Sequence, residues 1–159
     1  MCSFKFLKTL ILQPLTIKMN YDFKILPNSQ LESIVPLVFE LNEGKIEASV
    51  LSSRFNEIKN QNYECAIITL KNEIVGITGL WYCTRHYSGK SVEIDHVYIK
   101  PQHRNKGLGK SFMNWIQEYC KAKGYESLEL NTYVQNHPSH KFYYNEGFKI
   151  LGYHFLKKI

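Results

Sequence analysis

The chain has 159 residues, of which 44% are apolar and 21% are charged, and these are the proportions of a soluble globular protein with one core. It contains no uninterrupted apolar run of about 18 residues, which excludes a membrane span and a membrane partner. The formal net charge of +6 suits a phosphate-bearing cofactor, an acidic substrate or nucleic acid. Because no zinc-finger or RNA-recognition signature accompanies this charge, we do not expect nucleic acid as the partner.

The first eighteen residues form a basic and apolar segment of uncertain status. A lysine and a proline interrupt the apolar run and no small-residue cleavage site follows, so we do not predict a secretory signal. Met19 offers a second start. We therefore predict an N-terminal extension at residues 1–18 and a single domain at residues 19–159.

Hydrophobic periodicity predicts the order strand, two helices, three antiparallel strands, helix, strand, helix, strand. The predicted strands are residues 21–26, 63–70, 74–84, 91–100, 128–134 and 148–156. The predicted helices are one beginning at Ser29, with Pro36 as a kink, and then residues 46–59, 109–123 and 137–146.

Cysteine and histidine spacing argues against a metal site. The cysteines form no C-x-x-C pair, so they predict neither a zinc site nor a disulfide framework. His137 and His140 lie three residues apart without an evident third ligand, and we expect no metal. Unpaired cysteines also indicate a reducing, cytoplasmic compartment. They are Cys2, Cys65, Cys83 and Cys120.

A basic loop, HRNKGLGKS, joins the fourth predicted strand to the next helix. Such a junction gathers backbone N–H groups and a helix N-terminus, which together suit a phosphate. Gly107 and Gly109 allow close backbone approach, while Arg104, Lys106 and Lys110 add positive charge. The loop is no P-loop, because position 104 holds arginine where that motif needs glycine, and the strands before it look like hairpins. The Rossmann glycine pattern is also absent.

The pattern that fits the loop is [QR]-x-x-G-x-[GA], here RNKGLG. It follows EIDHVYIKPQHR and precedes an N-x-x-S-x-x-F-Y-Y-N-E-G-F segment that begins at Asn136. Together these motifs resemble the GNAT superfamily of N-acetyltransferases, although Ser139 stands where the family usually has alanine. The resemblance implies an α/β (α+β) fold, the GNAT acyl-CoA N-acyltransferase fold. That fold has a mixed, mostly antiparallel sheet flanked by helices and splayed between the fourth and fifth strands.

The resemblance implies acetyl-CoA as the co-substrate. The coenzyme diphosphate would lie on the loop and the pantetheine arm would pair with the fourth strand like an added strand. The Val97 N–H could serve the oxyanion, and Asn136 would orient the arm or cap the following helix. The predicted cofactor-binding residues are Val97, Tyr98, Ile99, Arg104, Asn105, Lys106, Gly107, Leu108, Gly109, Lys110, Asn136 and Tyr143.

Tyr143 is the candidate catalytic acid. It lies seven residues after Asn136, where the family places a tyrosine near the coenzyme sulfur. A tyrosine with a pKa of about 10 is a sensible proton donor to a thiolate. Simple packing beside Phe142 and Phe148 is the alternative.

Glu93 is the candidate catalytic base, since it stands eleven residues before Arg104, as a glutamate does in some histone-type members of the family. On a regular strand Glu93 shares a face with Asp95, Val97 and Ile99. The two carboxylates could accept a proton through water or attract a cationic amine, or they could be a solvated pair at a strand end. His96 is a second candidate base, and a bulge would change which side chains share a face.

These residues predict an N-acetyltransferase that moves an acetyl group from acetyl-CoA to a primary amine by direct attack in a ternary complex. The acceptor is open between small molecules and a protein lysine. A non-catalytic CoA-binding sensor or interaction module of the same fold is the alternative, and a basic nucleic-acid-binding domain is a third hypothesis. Because family members often pair through their sheets, the resemblance also allows a homodimer.

Overall fold

The computed structural model describes residues 20–159, so the predicted N-terminal extension lies outside the described residues. The strands are β1 (Asp22–Leu26), β2 (Tyr63–Leu70), β3 (Glu73–Arg85), β4 (Gly89–Ile99) and β5 (Ser127–Leu130). The α-helices are α1 (Val35–Leu41), α2 (Ala48–Ile58), α3 (Leu108–Ala122) and α4 (His137–Asn145), and 3₁₀ turns cover Asn28–Ile34 and Pro101–His103.

One five-stranded sheet in the order β1-β2-β3-β4-β5 organises the described residues. The first three pairings are antiparallel, and β4 and β5 run parallel, because α3 carries the chain back between them. Their pairing stops at Ile94 and Leu130, so residues 95–99 of β4 continue without β5. This confirms the predicted mixed, mostly antiparallel sheet with a gap between the fourth and fifth strands.

Each face of the sheet supports its own core, because strand side chains alternate between faces. Leu51 and Phe55 of α2 pack with Ile67 and Ile77 on one face. On the other face, α3 packs against β4. That second core includes Val92, Ile94, Phe112 and Ile116, and side chains of α4 pack against it.

The predicted first helix is divided. A 3₁₀ turn, Asn28–Ile34, is followed by α1, and Pro36 lies in the first turn of α1 rather than at a kink. The first turn tolerates proline because its N–H groups have no intrahelical acceptor. Ser29 makes no capping hydrogen bond.

A bulge in β4 separates its two halves. Gly79 pairs with Asp95 whereas Ile77 pairs with Tyr98, so Thr78 alone lies opposite two residues of β4. One of those two, His96, has a φ of 37°, a left-handed conformation that is uncommon outside glycine. Such a bulge inserts one extra residue and reverses the alternation beyond it.

The prediction that Glu93, Asp95, Val97 and Ile99 share one face of β4 is wrong, because the bulge reverses the alternation of side chains. Val97 and Ile99 pack against the core under α3, together with Val92 and Ile94. Tyr98 instead belongs to the opposite core. Glu93 and Asp95 therefore share their face with Tyr98 and not with Val97 and Ile99.

The predicted last strand, residues 148–156, is also wrong. No strand follows α4, and Phe155 is 90% exposed. The segment is apolar enough for a strand, but a strand also requires a neighbour to bond its backbone, and a cleft separates it from β5. The predicted strand at 128–134 is likewise shortened to β5.

Three cysteines of the described chain, Cys65, Cys83 and Cys120, are free. Within residues 20–159 we find no cluster of three metal-ligating side chains. None of the helices described above is long and apolar enough to cross a membrane.

Candidate active site

The loop after β4 leads into the start of α3, which is the candidate anion site. Gly107 precedes α3 with a φ of +74°, and no side chain caps the helix. The N–H groups of Leu108, Gly109 and Lys110 therefore lack both an intrahelical acceptor and a cap. With the positive end of the helix dipole behind them, these amides fit a phosphate group.

Arg104 ties the loop to the end of β4. Its Nε donates to the Ile99 carbonyl oxygen at 2.6 Å, and its Cζ lies 5.2 Å from the centre of the Tyr98 ring. Lys106 is anchored similarly, because its Nζ donates to the Gln102 carbonyl oxygen at 2.8 Å. Both cations therefore stay beside the helix start.

Helix α4 packs across this loop. A Cβ on Gly109 would lie 3.5 Å from the Phe142 ring and 3.9 Å from Ile99 Cδ1. The end of β4, the start of α3 and the middle of α4 thus meet at one place. The loop motif and the motif segment that begins at Asn136, which are distant in sequence, are brought together there.

Tyr143 lies half-buried beside this junction. Its ring makes edge contacts with Phe142 and Phe148, at centroid distances of 5.3 and 5.7 Å, and burial raises its pKa to about 12. Its neighbour Tyr144 is 54% exposed. Asn136 caps α4, because its side chain accepts from the Ser139 N–H at 3.4 Å.

Glu93 belongs to a polar cluster on the α2 side of the sheet. One carboxylate oxygen accepts from Arg85 Nη2 at 2.7 Å and the other from Asn131 Nδ2 at 2.8 Å. Arg85 also pairs with Glu129 through its Nε at 3.0 Å. Both carboxylate oxygens of Glu93 therefore already accept hydrogen bonds.

Glu129 completes the cluster. Burial alone would raise its pKa, but hydrogen bonds and Arg85 outweigh burial, so the pKa is lowered. The sequence did not reveal Glu129 or Asn131 as neighbours of Glu93, because the parallel register of β4 and β5 places them there. The hydroxyl donors to Glu129 are Tyr87, Ser88 and Ser91.

Asp95, His96 and Tyr63 form a second polar group at the bulge. His96 Nδ1 lies 3.3 Å from Asp95 Oδ2, and Nε2 lies 3.0 Å from the Tyr63 hydroxyl. Hydrogen bonds from His96 lower the pKa of Asp95 to about 2, and burial raises the pKa of Tyr63. The Asp95 side chain is 58% exposed and that of His96 only 10%, so the group opens to solvent through its carboxylate.

We expect Gly79→Ala to destabilise the fold through this group. The new Cβ would lie 2.3 Å from His96 Cε1 and 2.7 Å from the Tyr63 ring, and such overpacking costs about 1–3 kcal/mol. The double variant Gly79→Ala/His96→Ala should lose less free energy of unfolding than the two single variants added together, because the imidazole is gone. Urea unfolding of all four proteins measures this, and additive losses would contradict the contact.

Comparison of the chain with known proteins identifies the family to which it belongs. The model of the Acetyltransferase (GNAT) family matches residues 31–148, which include β4, the loop before α3 and α4. The chain belongs to this family and is an acyl-CoA-dependent N-acetyltransferase.

Curated relatives agree with this assignment. The chain is 24% identical over 130 residues to an aminoalkylphosphonate N-acetyltransferase of Salmonella typhimurium, covering 80% of this chain and 84% of the relative. It is 26% identical to a putative ribosomal protein bS18-alanine N-acetyltransferase of Bacillus subtilis, covering 65% of this chain and 70% of that protein.

Two solved structures share the fold. A possible acetyltransferase of Clostridium difficile 630 superimposes with a TM-score of 0.74 at 17% identity, over 87% of this chain and 97% of that one. An aminoglycoside N-acetyltransferase in complex with CoA gives a TM-score of 0.74 at 16% identity, over 91% and 98% of the two chains.

Proposed function

We propose that the protein transfers an acetyl group from acetyl-CoA to a primary amine by direct attack in a ternary complex. The convergence of three segments supports this best: the uncapped start of α3, the end of β4 that β5 does not pair, and Tyr143 on α4. In that order, the three features would bind the diphosphate, the extended pantetheine arm and the thioester of acetyl-CoA.

The chain's own residues fit coenzyme A. The amides of residues 107–110 would bind the diphosphate, with Arg104, Lys106 and Lys110 adding charge. Backbone groups of Val97, Tyr98 and Ile99 would bond the amides of the arm, because β4 has no partner on that side beyond Ile94. Asn105, Leu108, Gly109 and Asn136 would shape the same site.

Acetyl-CoA supplies the activated thioester when it is bound. Tyr143 would donate its proton to the departing sulfur, and its raised pKa keeps it protonated at neutral pH. The N–H of Val97, which lies in the bulge with His96, would stabilise the oxygen that gains negative charge. A bulge locked by Asp95, His96 and Tyr63 gives that N–H a fixed direction.

Glu93 would attract the acceptor amine or accept its proton. Both of its oxygens already accept hydrogen bonds, which favours attraction of the cationic amine and proton transfer through water over direct abstraction. Glu129 adds a second negative charge beside the single cation Arg85. His96 is the second candidate acceptor for the proton.

We expect Glu93→Gln to separate these roles. If the carboxylate attracts the cationic amine, KM for the amine should rise several-fold with little change in kcat. If the carboxylate instead accepts the proton, kcat should fall and the acid limb of the pH profile of kcat should move. Steady-state kinetics against pH distinguishes the two. Glu118→Gln is the control, because it removes the same charge at an exposed position on α3 and should change neither KM nor kcat. If Glu93→Gln has the KM and kcat of the native protein, Glu93 has no role in the reaction.

Thiol release with an amine panel tests the function as a whole. The panel includes aminoalkylphosphonates, polyamines, aminoglycosides and peptides with N-terminal alanine or lysine, which span small-molecule and protein acceptors. We expect acetyl-CoA, but not ATP, to raise the melting temperature, and at least one amine to release free CoA thiol. Stabilisation without turnover on any amine would favour the non-catalytic CoA-binding module. No stabilisation would contradict both, and binding to DNA or RNA instead would favour the nucleic-acid hypothesis.

A further inference from the structure

The Arg104 side chain reaches from the loop before α3 back to the end of β4. Its Nε donates to the Ile99 carbonyl oxygen at 2.6 Å, and its Cζ lies 5.2 Å from the centre of the Tyr98 ring. The hydrogen bond orients the planar guanidinium, and the aromatic face attracts its charge. The terminal nitrogens of the guanidinium can still donate to a further acceptor.

The Ile99 carbonyl oxygen lies on the side of β4 that faces the gap. The Lys100 N–H donates to the Val75 carbonyl oxygen of β3 at 2.9 Å, and the backbone groups of successive residues in an antiparallel strand point to opposite sides. Ile99 therefore directs its N–H and C=O away from β3, toward the space that β5 leaves beyond Ile94. Arg104 is thus held at the gap itself.

Tyr98 is in turn held by α1. Its ring is 8% exposed and packs in the core under α1 and α2, and its hydroxyl donates to a Glu40 carboxylate oxygen at 2.7 Å. The carboxylate attracts the hydroxyl proton and so leaves more negative charge on the ring, which strengthens the attraction of the ring for the guanidinium. Glu40 therefore acts on Arg104 through Tyr98.

The position of Glu40 is unfavourable for its own helix. Glu40 is the last residue but one of α1, and the last turn of this helix contains no basic residue. The negative end of the helix dipole disfavours a carboxylate there. A residue that works against the stability of its own helix is a candidate for a functional role.

We propose that Glu40 and Tyr98 are positioning residues, which hold the Arg104 guanidinium at the gap for the diphosphate of coenzyme A. The inference rests on the proposed function, because that function supplies the diphosphate. An exposed arginine loses side-chain freedom when it binds a ligand. An arginine that a ring and a carbonyl already hold loses less of it, so the complex is tighter.

Calorimetric titration of the full-length protein with CoA tests the proposal. We expect the Kd for CoA to rise about two- to fivefold in both Glu40→Gln and Tyr98→Phe, which is the range for one cation–π contact. Loss of a negative charge alone would strengthen the binding of an anion, so the direction of the change separates positioning from a simple charge effect. In an Arg104→Gln background, Glu40→Gln should cause no further weakening, because the residue on which Glu40 acts is gone.

Glu43→Gln is the matched control. It removes the same charge at the exposed turn after α1, where Glu43 contacts Lys45 Nζ at 2.6 Å, and it should not raise the Kd for CoA. Urea unfolding should show Glu40→Gln to be at least as stable as the native protein, so that weaker binding cannot be ascribed to unfolding. Native affinity in Glu40→Gln and Tyr98→Phe, or an equal loss from Glu40→Gln with and without Arg104, would overturn this inference and leave the proposed function standing. A native protein that does not bind CoA would overturn both.

Discussion

Replacing Tyr143 with phenylalanine should lower kcat about a hundredfold, because a positioned general acid contributes about that much or more. The Kd for acetyl-CoA should change little, since the ring and its contacts with Phe142 and Phe148 remain. Single-turnover release of CoA thiol, measured beside a binding titration, separates the two effects. Tyr144→Phe is the matched control: it removes the hydroxyl of the adjacent, exposed residue and should leave kcat unchanged.

The pH dependence of stability gives an independent check on Tyr143. Burial raises its pKa to about 12, against about 10 in an unfolded chain. The unfolded chain therefore loses this proton first, and the stability that the buried tyrosine contributes below about pH 10 is lost as pH rises toward 12. Tyr143→Phe should show a shallower alkaline decline in its free energy of unfolding, and the part due to Tyr63 and Tyr82, whose pKa values burial also raises, should remain.

Two outcomes would count against the acid assignment. Equal kcat values for the native protein and Tyr143→Phe would show that another group or water protonates the sulfur. An alkaline limb in the native kcat profile well below the pKa of Tyr143, unchanged in Tyr143→Phe, would point the same way.

Replacing Gly107 with alanine should weaken acetyl-CoA binding about tenfold to a hundredfold, which is the loss expected for one or two charge-assisted hydrogen bonds. Gly107 has a φ of +74°, and apart from its chain neighbours no protein atom lies within 4 Å of where its Cβ would be. The methyl group would thus enter the space where the diphosphate is proposed to lie. It would also add about 1 kcal/mol of backbone strain.

Gly124→Ala provides the control for strain. This glycine follows the other end of α3 with a φ of +80°, and its Cβ would also meet no atom within 4 Å. Both variants should lose similar free energy of unfolding, but only Gly107→Ala should weaken acetyl-CoA binding in calorimetry. Equal affinities in the two variants would contradict a diphosphate at this loop.

Features that depend on neighbouring residues could be predicted from the sequence. The pattern RNKGLG, placed between a strand and a helix, was enough to predict the loop before α3, because glycine and helix-start geometry are local properties. Helical periodicity likewise predicted α2, α3 and α4 with ends close to those observed. The gap beside β4 followed from the family resemblance.

Features that depend on distant partners could not be predicted in this way. The bulge at His96 involves Tyr63, which lies 33 residues earlier, so the alternation of β4 alone gave the wrong face for Val97 and Ile99. The partners of Glu93 depend on the register of β4 with β5. The last predicted strand failed for the same reason, since its apolar pattern says nothing about whether a neighbouring edge is within reach.

The two separate cores allow the surfaces of the sheet to change independently in evolution. The core beneath α3 and α4 supports the loop. Helices α1 and α2 contribute to the core on the opposite face of the sheet, which includes Phe55 of α2 and Tyr63 of β2. Under the proposed function, substitutions in that opposite layer, other than at Glu40 and Tyr98, would change the contact with the amine while the loop proposed to bind the coenzyme is preserved. New acceptors could therefore be acquired by remodelling one half of the molecule, without rebuilding the machinery that activates the acetyl group.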